Sequence, residues 1–312
     1  MNTSPDPLVT VCITTYQHAA FIRRCISSVL DQVGAEAVEV LVGDDGSVDS
    51  TRDIAQSIAD VDPRVHAIFN PTRLGPSANL SSLVARARGA FVAHLDGDDY
   101  WLPGKLAMQL DRLAKSPRSP AVYTNATVIA PDERPLGVFN RDVGTTIDGR
   151  ELLRRGNFLC HSTLLYRRQA IDAVLGVSPP YIDYRLHIRL AAKGDLAYID
   201  APLAAYRWRS PGSMITSLPE VVLQGHVDAI VEALAQGAMP HDARRAAGRM
   251  LGRTTVHTLL GGRLGAVPEL AATLRSIRGL DASRAWVAGQ VLLGPLRAAS
   301  SVAWRRRGVF FP

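Results

Sequence analysis

Residues 89–102 read GAFVAHLDGDDYWL, and this stretch decides the fold. Ala90 to Leu95 is an apolar run broken only by His94, the pattern of a strand buried on both faces of a parallel sheet. The run stops in acid, with Asp96, Asp98 and Asp99 gathered beside Gly97. Carboxylates crowded where a buried strand ends repel one another unless something positive joins them. A hard divalent cation, Mg2+ or Mn2+, suits the place, because it takes oxygen ligands from one or two carboxylates and leaves the rest to water and phosphate. Open α/β sheets also bind their ligands beyond the carboxyl ends of the strands. Taken alone, an acidic turn capping the next helix, with Pro103 in its first turn, accounts for the same residues equally well.

On the N-terminal side the pattern repeats. Leu8 to Thr14 reads as a first strand, and a polar turn leads into a helix over His18 to Gln32, where Phe21, Ile22, Cys25, Ile26, Val29 and Leu30 recur at helical spacing. Val38 to Val42 is a second strand, and it too ends in acid, as Asp44-Asp45-Gly46-Ser47; a helix follows from about Ser50, with Asp49 or Ser50 as its cap. Val65 to Phe69 is a third strand, and a Gly-Pro turn opens a third helix before the central run. Beyond that run come a helix over Pro103 to Lys115 and a strand over Ala121 to Ile129. Such βα units predict a doubly wound, mostly parallel α/β sheet with right-handed crossovers. The regularity then weakens: Pro131 to Gly149 reads as a surface excursion, Leu164 to Tyr166 as a strand, Gln169 to Leu175 as a short helix, and Ala-Ala-Lys-Gly194 as the end of a helix entered at Asp183.

From Pro219 the composition turns to Ala, Leu, Arg and Gly, in four helices divided near Gly237, Gly261–Gly262 and Gly279–Leu280. The domain division expected is therefore 1–216 and 217–312, with the boundary between Met214 and Glu220. Charge follows it. The net +6 arises from 23 basic and 26 acidic residues up to position 240, against 12 Arg and 3 acids after it. A basic tail of this kind can meet nucleic acid or an anionic membrane, and its sign does not choose between them. Neither a signal-peptide pattern nor an apolar run long enough to span a bilayer is found, so a cytoplasmic protein is expected. Cys12, Cys25 and Cys160 are odd in number and widely spaced, which argues against a disulfide frame or a zinc site. There is no GxxxxGK[ST] and no GxGxxG after the first strand, so P-loop and dinucleotide sites are set aside. Acidic and hydroxyl-bearing turns along one sheet edge can instead hold a nucleotide diphosphate.

Four segments in order, VTVCITTYQHAAFIRRCISSVLDQ, VLVGDDGSVDST, RLGPSANLSSLVARARGAFVAHLDGDDYWLPGKL and IDYRLHIRLAAKG, resemble the family-2 glycosyltransferases of GT-A fold over about Pro7 to Ser213. The resemblance implies an inverting, metal-dependent transfer of sugar from a nucleotide-diphosphate donor, usually a UDP-sugar, with Mn2+ or Mg2+ as cofactor. It implies that Thr14 and Tyr16 line the base pocket, that Asp45 hydrogen-bonds the nucleobase, and that Asn79 faces ribose or phosphate. In the D-x-D signature Asp96-Gly97-Asp98, Asp98 is the metal ligand, and Asp96 meets the ribose or a water bound to the metal. Asp183 answers to the catalytic base, which takes the proton of the acceptor hydroxyl during in-line attack. Three departures stand out: Gln17 for Asn, Ala78 for the Arg that commonly precedes Asn79, and Ile182 for the Glu that normally precedes the base. The structural alternative for Asp183 is a helix N-cap. His161, Trp101 and Arg207 are candidates for contact with acceptor or sugar, and each is as readily a packing residue; His94 reads as core.

The expected acceptor is a glycan or a polyprenyl-linked glycan, with no nucleic-acid partner. The Arg-rich end, from Ala303 to Phe311, suggests either an amphipathic face lying on the inner surface of the cell membrane, or helices packed on the catalytic domain or in a homodimer. Two rivals remain: a sugar nucleotidyltransferase, which usually wants a basic Gly-rich first loop that TTYQHAAF lacks, and a non-catalytic nucleotide-sugar binder.

Overall fold

The computed structural model describes residues 7–32, 34, 37–208, 219–261, 266–293 and 308–310. The quoted run is β4 (Phe91–Asp96), buried along its middle as an apolar strand of a two-faced sheet must be. β1 (Val9–Thr15) lies beside it, followed by α1 (Ile22–Leu30), β2 (Val38–Asp44), α2 (Thr51–Ala59), β3 (Val65–Phe69) and α3 (Pro76–Val84). After β4 come β5 (Tyr100–Trp101), α4 (Lys105–Ala114), β6 (Ala121–Ile129), β7 (Pro135–Val138), β8 (Thr146–Ile147) and α5 (Gly149–Arg155). β9 (Leu165–Arg167), α6 (Asp172–Leu175), α7 (Asp183–Ala191) and β10 (Leu196–Arg207) complete the sheet region.

The strands form one mixed sheet in the order β3-β2-β1-β4-β9-β6-β10-β5, with β7 paired to β6 and β8 to β10. β3, β2, β1 and β4 are mutually parallel. β9 runs antiparallel between β4 and β6, and β10 is parallel to β6, so the main direction resumes beyond β9. Alternation along β1 sends Val9, Val11 and Ile13 to one face and Cys12 to the other. The first face is covered by α1, α2 and α4, and the second by α3, α5, α6 and α7. That is the doubly wound, mostly parallel α/β sheet expected from the sequence.

Three local expectations change. Residues 131–149 are not merely a surface excursion, because β7 and β8 use their backbone groups to extend the sheet. The helix expected over Gln169 to Leu175 is a 3-10 turn, Arg168–Ala170, followed by the four-residue α6. β10 had no counterpart in the sequence reading; Pro202 and two register shifts against β6 blur its alternation.

Three further helices follow, α8 (Pro219–Ala235), α9 (Pro240–Gly261) and α10 (Ala266–Ser276), and residues 284–293 are helical as well. Val227, Ile230 and Ala233 of α8 share one apolar core with Tyr181, Ile182 and Leu186 at the start of α7. Glu232 of α8 ties Arg185 (3.0 Å) and Arg189 (2.7 Å) of α7. Burial would raise the Glu232 carboxyl, but the Arg185 hydrogen bond and the two guanidinium charges hold it below its ordinary value. On α5, Arg150 reaches the buried Asp242 of α9 at 2.9 Å. The Arg-rich stretch 303–307 and the boundary at 214–218 lie outside the described residues.

Candidate active site

β1, β2 and β4 end side by side, so the polar turns after them share one rim. Register places Thr14 between Gly43 and Asp96, and its hydroxyl donates to Asp96 Oδ1 at 3.2 Å. After β2, Asp44 Oδ1 closes the turn by accepting from the Gly46 and Ser47 amides, and it also takes Arg52 Nε at 2.8 Å. Asp45 is engaged differently. Its Oδ1 accepts from the Leu74 amide (2.7 Å) and its Oδ2 from the Gly75 amide (2.9 Å), holding the loop that enters α3. Gly75 sits there at φ +89°, ahead of Pro76 in the first turn.

The structure corrects the expectation for Asn79. Rather than facing ribose or phosphate, it is 1% exposed, giving Nδ2 to the Gly43 carbonyl (2.7 Å) and receiving Asn70 Nδ2 on its Oδ1 (3.0 Å). Its amide satisfies buried sheet backbone, which would otherwise cost free energy. Tyr16 stays half-buried at the rim, with the Arg73 guanidinium 3.9 Å from its ring centroid and Gln17 Nε2 on its hydroxyl.

At the end of β4, Gly97 donates its amide to the Thr14 carbonyl at 2.8 Å. No side chain fits there: a Cβ would stand 2.8 Å from Thr15 Cβ and Oγ1 and 2.9 Å from His18 Nδ1. Those two polar atoms, Thr15 Oγ1 and His18 Nδ1, are buried without a hydrogen-bond partner among the described residues. Asp99 is a buried anchor, accepting from the Arg207 amide (2.8 Å) and Ser162 Oγ (2.6 Å). Burial pushes its carboxyl well above the carboxylate range, and repulsion from Asp98 and Asp96 adds to the effect. Asp96 is also raised, first by burial and then by Asp98 and Asp183, while His161 opposes the rise. Asp98 is half-buried, and its carboxylate makes no hydrogen bond or ion pair among the described residues. An all-oxygen pair with one such carboxylate suits Mg2+ or Mn2+.

Arg207 and Trp101 are packing residues, not contacts free for sugar or acceptor. Arg207 is 3% exposed; its guanidinium lies over Phe21 and gives its donors to the carbonyls of Asp98, Ala130 and Pro131 and to Glu133. It steadies the Asp98 turn through that turn's backbone. Trp101 is 2% exposed, donates Nε1 to the Ser162 carbonyl at 2.9 Å, and has Lys105 Nζ against its ring. A buried five-donor cation and a buried indole both need such partners.

Asp183 opens α7, where a carboxylate is favoured by the helix dipole. Its Oδ1 accepts from Asn157 Nδ2 (2.9 Å) and from the Tyr184 amide (2.8 Å). The preceding Ile182 is 6% exposed and packs on Gly225 of α8, where an added Cβ would lie 2.8 Å from Ile182 Cγ1 and Cγ2. Beside Asp183 runs a row of imidazoles. His161 Nδ1 is 3.4 Å from His187 Nε2, His161 Nε2 is 3.1 Å from His94 Nδ1, and His94 Nε2 is 3.3 Å from the Tyr166 hydroxyl. Burial drives His94 well below the ordinary histidine range and His187 down to about 3, so both are neutral at physiological pH.

The sequence reading missed Asn157, Ser162 and His187. For His187 a signal was present, since Asp183 and His187 are four apart and share a helix face. Asn157 and Ser162 carried none, because their partners come from distant elements.

The sequence profile described as Glycosyl transferase family 2 matches residues 10–175. An uncharacterised protein of Mycobacterium tuberculosis is 32% identical over 207 residues, 64% of this chain, which spans only 58% of that relative's length. TuaG of Bacillus subtilis, assigned to teichuronic acid biosynthesis as a glycosyltransferase, is 31% identical over 66% of this chain and 81% of its own. Among solved structures, residues 1–349 of S. aureus TarS in complex with UDP-GlcNAc superpose with a TM-score of 0.69 at 17% identity, covering 97% of this chain and 93% of that one. The mannosyltransferase PcManGT of Pyrobaculum calidifontis, in complex with GDP-Man and Mn2+, gives 0.54 at 20% identity over 96% and 90%. At these identities the structural likeness speaks for the fold.

Proposed function

The chain belongs to glycosyltransferase family 2, and from that membership we propose that it transfers a sugar, with inversion, from a UDP-sugar to a hydroxyl of a glycan or lipid-linked glycan in cell-surface polysaccharide biosynthesis. The observation that carries the reading is the meeting of two chain-distant carboxylates at one rim: the charge of Asp183, at the head of α7, is close enough to Asp96, at the end of β4, to help raise its pKa. A base on one side of the sugar and diphosphate ligands on the other is the arrangement that single-displacement transfer needs. TarS in complex with UDP-GlcNAc supports the choice of a UDP-sugar, and TuaG supports a polysaccharide acceptor.

In this reading Asp183 accepts the acceptor's proton on Oδ2, because Asn157 and the Tyr184 amide occupy Oδ1 and fix the carboxylate's orientation. Tyr16 and Thr14 border the base and ribose, with Thr15 Oγ1 and His18 Nδ1 as unspent polar atoms close by. Asp45 is 3% exposed with both carboxylate oxygens taken inside the chain, so in place of the direct hydrogen bond to the nucleobase expected from the sequence it acts through the loop it holds. Asp98, with Asp96, would hold Mg2+ or Mn2+, which when bound supplies positive charge to the departing diphosphate. The division into a catalytic part, 1–216, and a helical part, 217–312, belongs to the same proposal, as does a cytoplasmic enzyme resting on the inner membrane face. No helix among the described residues is long and apolar enough to cross a membrane.

The test is a donor screen by thermal stabilisation with Mn2+, followed by turnover on the best donor. A UDP-sugar should raise the melting temperature, and Asp183→Asn should lower kcat by about a hundredfold or more while leaving the stabilisation intact. Wild-type turnover by Asp183→Asn would remove the assigned base. Stabilisation by GDP-sugars alone would move the donor to the class bound by the mannosyltransferase.

A further inference from the structure

The row of imidazoles ends on Asp183, and the transfer chemistry leaves His161 and His187 without a task. One ligand atom each from His161, Asp183 and His187 lies within 4.8 Å of the other two. Two nitrogens at 2.0–2.1 Å from a tetrahedral ion stand about 3.3 Å apart. His161 Nδ1 and His187 Nε2 are 3.4 Å apart, long for a hydrogen bond and close to the edge of such a tetrahedron. The ligands come from supports that do not flex easily: Asp183 and His187 sit one turn apart on α7, and His161 opens the 3-10 turn that leads into β9.

The surrounding groups are those that orient metal ligands. Asn157 Nδ2 holds Asp183 Oδ1 at 2.9 Å and so fixes the carboxylate's orientation. With the Nε2–H of His161 given to His94 Nδ1 at 3.1 Å, His161 Nδ1 presents a lone pair towards Asp183 and His187. His187 is fully buried, and its other nitrogen, Nδ1, has no partner among the described residues.

We propose that His161, His187 and Asp183 form a second cation site, separate from the oxygen pair Asp96 and Asp98, that takes Zn2+ and thereby inhibits the enzyme. Two imidazoles and one carboxylate favour a borderline transition ion over Mg2+, and three protein ligands leave a fourth position open. The inhibitory half rests on the transferase reading above, because an ion bound to the Asp183 carboxylate removes the lone pair that would accept the acceptor's proton.

Binding and inhibition are measured apart. Chelator-treated full-length protein is titrated without nucleotide, using Co2+ as an absorbing stand-in and Zn2+ by calorimetry. One equivalent should bind, with the intense visible bands of a low-coordinate Co2+ site. Asp98→Asn should leave this binding unchanged, while His161→Gln and His187→Asn should each weaken it at least tenfold. Because His187 is buried and its variant can misfold, circular dichroism and melting accompany it, and the half-buried His161→Gln carries the result. In turnover assays with saturating Mg2+, Zn2+ should inhibit wild type with the midpoint of its binding curve. Binding that survives both histidine variants, or that disappears with Asp98→Asn, overturns the site. Stoichiometric Zn2+ binding with undiminished turnover overturns the inhibition. A protein that binds Zn2+ as described but turns over no donor would tell against the transferase reading and leave the metal site standing.

Discussion

Replacing Ile182 by glutamate puts an acid ahead of Asp183, the base of the proposed reaction, and it is expected to damage the protein, not to improve it. Ile182 is 6% exposed and lies under Gly225 of α8, in the core shared by α7, α8 and α9. Losing the buried isoleucine side chain forfeits about 1.5–3 kcal/mol of transfer free energy. The introduced carboxyl must then be neutral in the folded state. Holding a group of ordinary pKa about 4.3 protonated at pH 7 costs about 4 kcal/mol, at 1.36 kcal/mol per unit. The sum, about 5–7 kcal/mol, rivals the whole stability of an ordinary domain.

The sign of the pH dependence identifies the cause. An acid whose folded pKa lies above its unfolded value imposes no ionisation penalty below the unfolded pKa, and a growing one as pH rises towards the folded pKa. The deficit in Ile182→Glu should therefore shrink as pH falls from 7 towards about 4.5, whereas Ile182→Val should lose only about 0.5–1.5 kcal/mol at any pH. Urea denaturation followed by circular dichroism across that range measures both. An Ile182→Glu protein that melts with wild type at pH 7 would refute the packing assigned to Ile182, and raised turnover in it would show that the lack of an acid there limits catalysis.

Two further outcomes are expected. Gly97→Ala places a methyl 2.8 Å from Thr15 and 2.9 Å from His18; overpacking of this kind costs about 1–3 kcal/mol, so calorimetry with UDP and Mn2+ should show at least a tenfold loss of affinity in a folded protein. The Glu232 carboxyl is held below its ordinary value, so its contribution is complete above the unfolded glutamate pKa and is lost as pH falls through the lower folded value. Glu232→Gln should lower stability by about 1 kcal/mol at neutral pH, the scale of a partly exposed ion-pair network, and bring it closer to wild type in acid titrations of melting temperature.

The alternation, the buried β-branched strands and the acidic turns are local properties, so the sequence by itself determined the β1-to-β4 core, the helix entered at Asp183, and the rim on which Thr14, Asp45, Asp96 and Asp98 fall. Periodicity and turn chemistry act between near neighbours, and near neighbours are legible. The destination of a side chain depends on partners from elsewhere in the chain. Asn79 is spent on Gly43, Arg207 on the Asp98 turn and Trp101 on Ser162, because a buried donor takes the nearest acceptor whatever its position in the sequence. β10 escaped because its bulges break the two-residue repeat. Only the tertiary structure brought His94, His161 and His187 into one row against Asp183 and set Ile182 under Gly225, since those meetings require β4, the turn leading into β9, α7 and α8 to pack together.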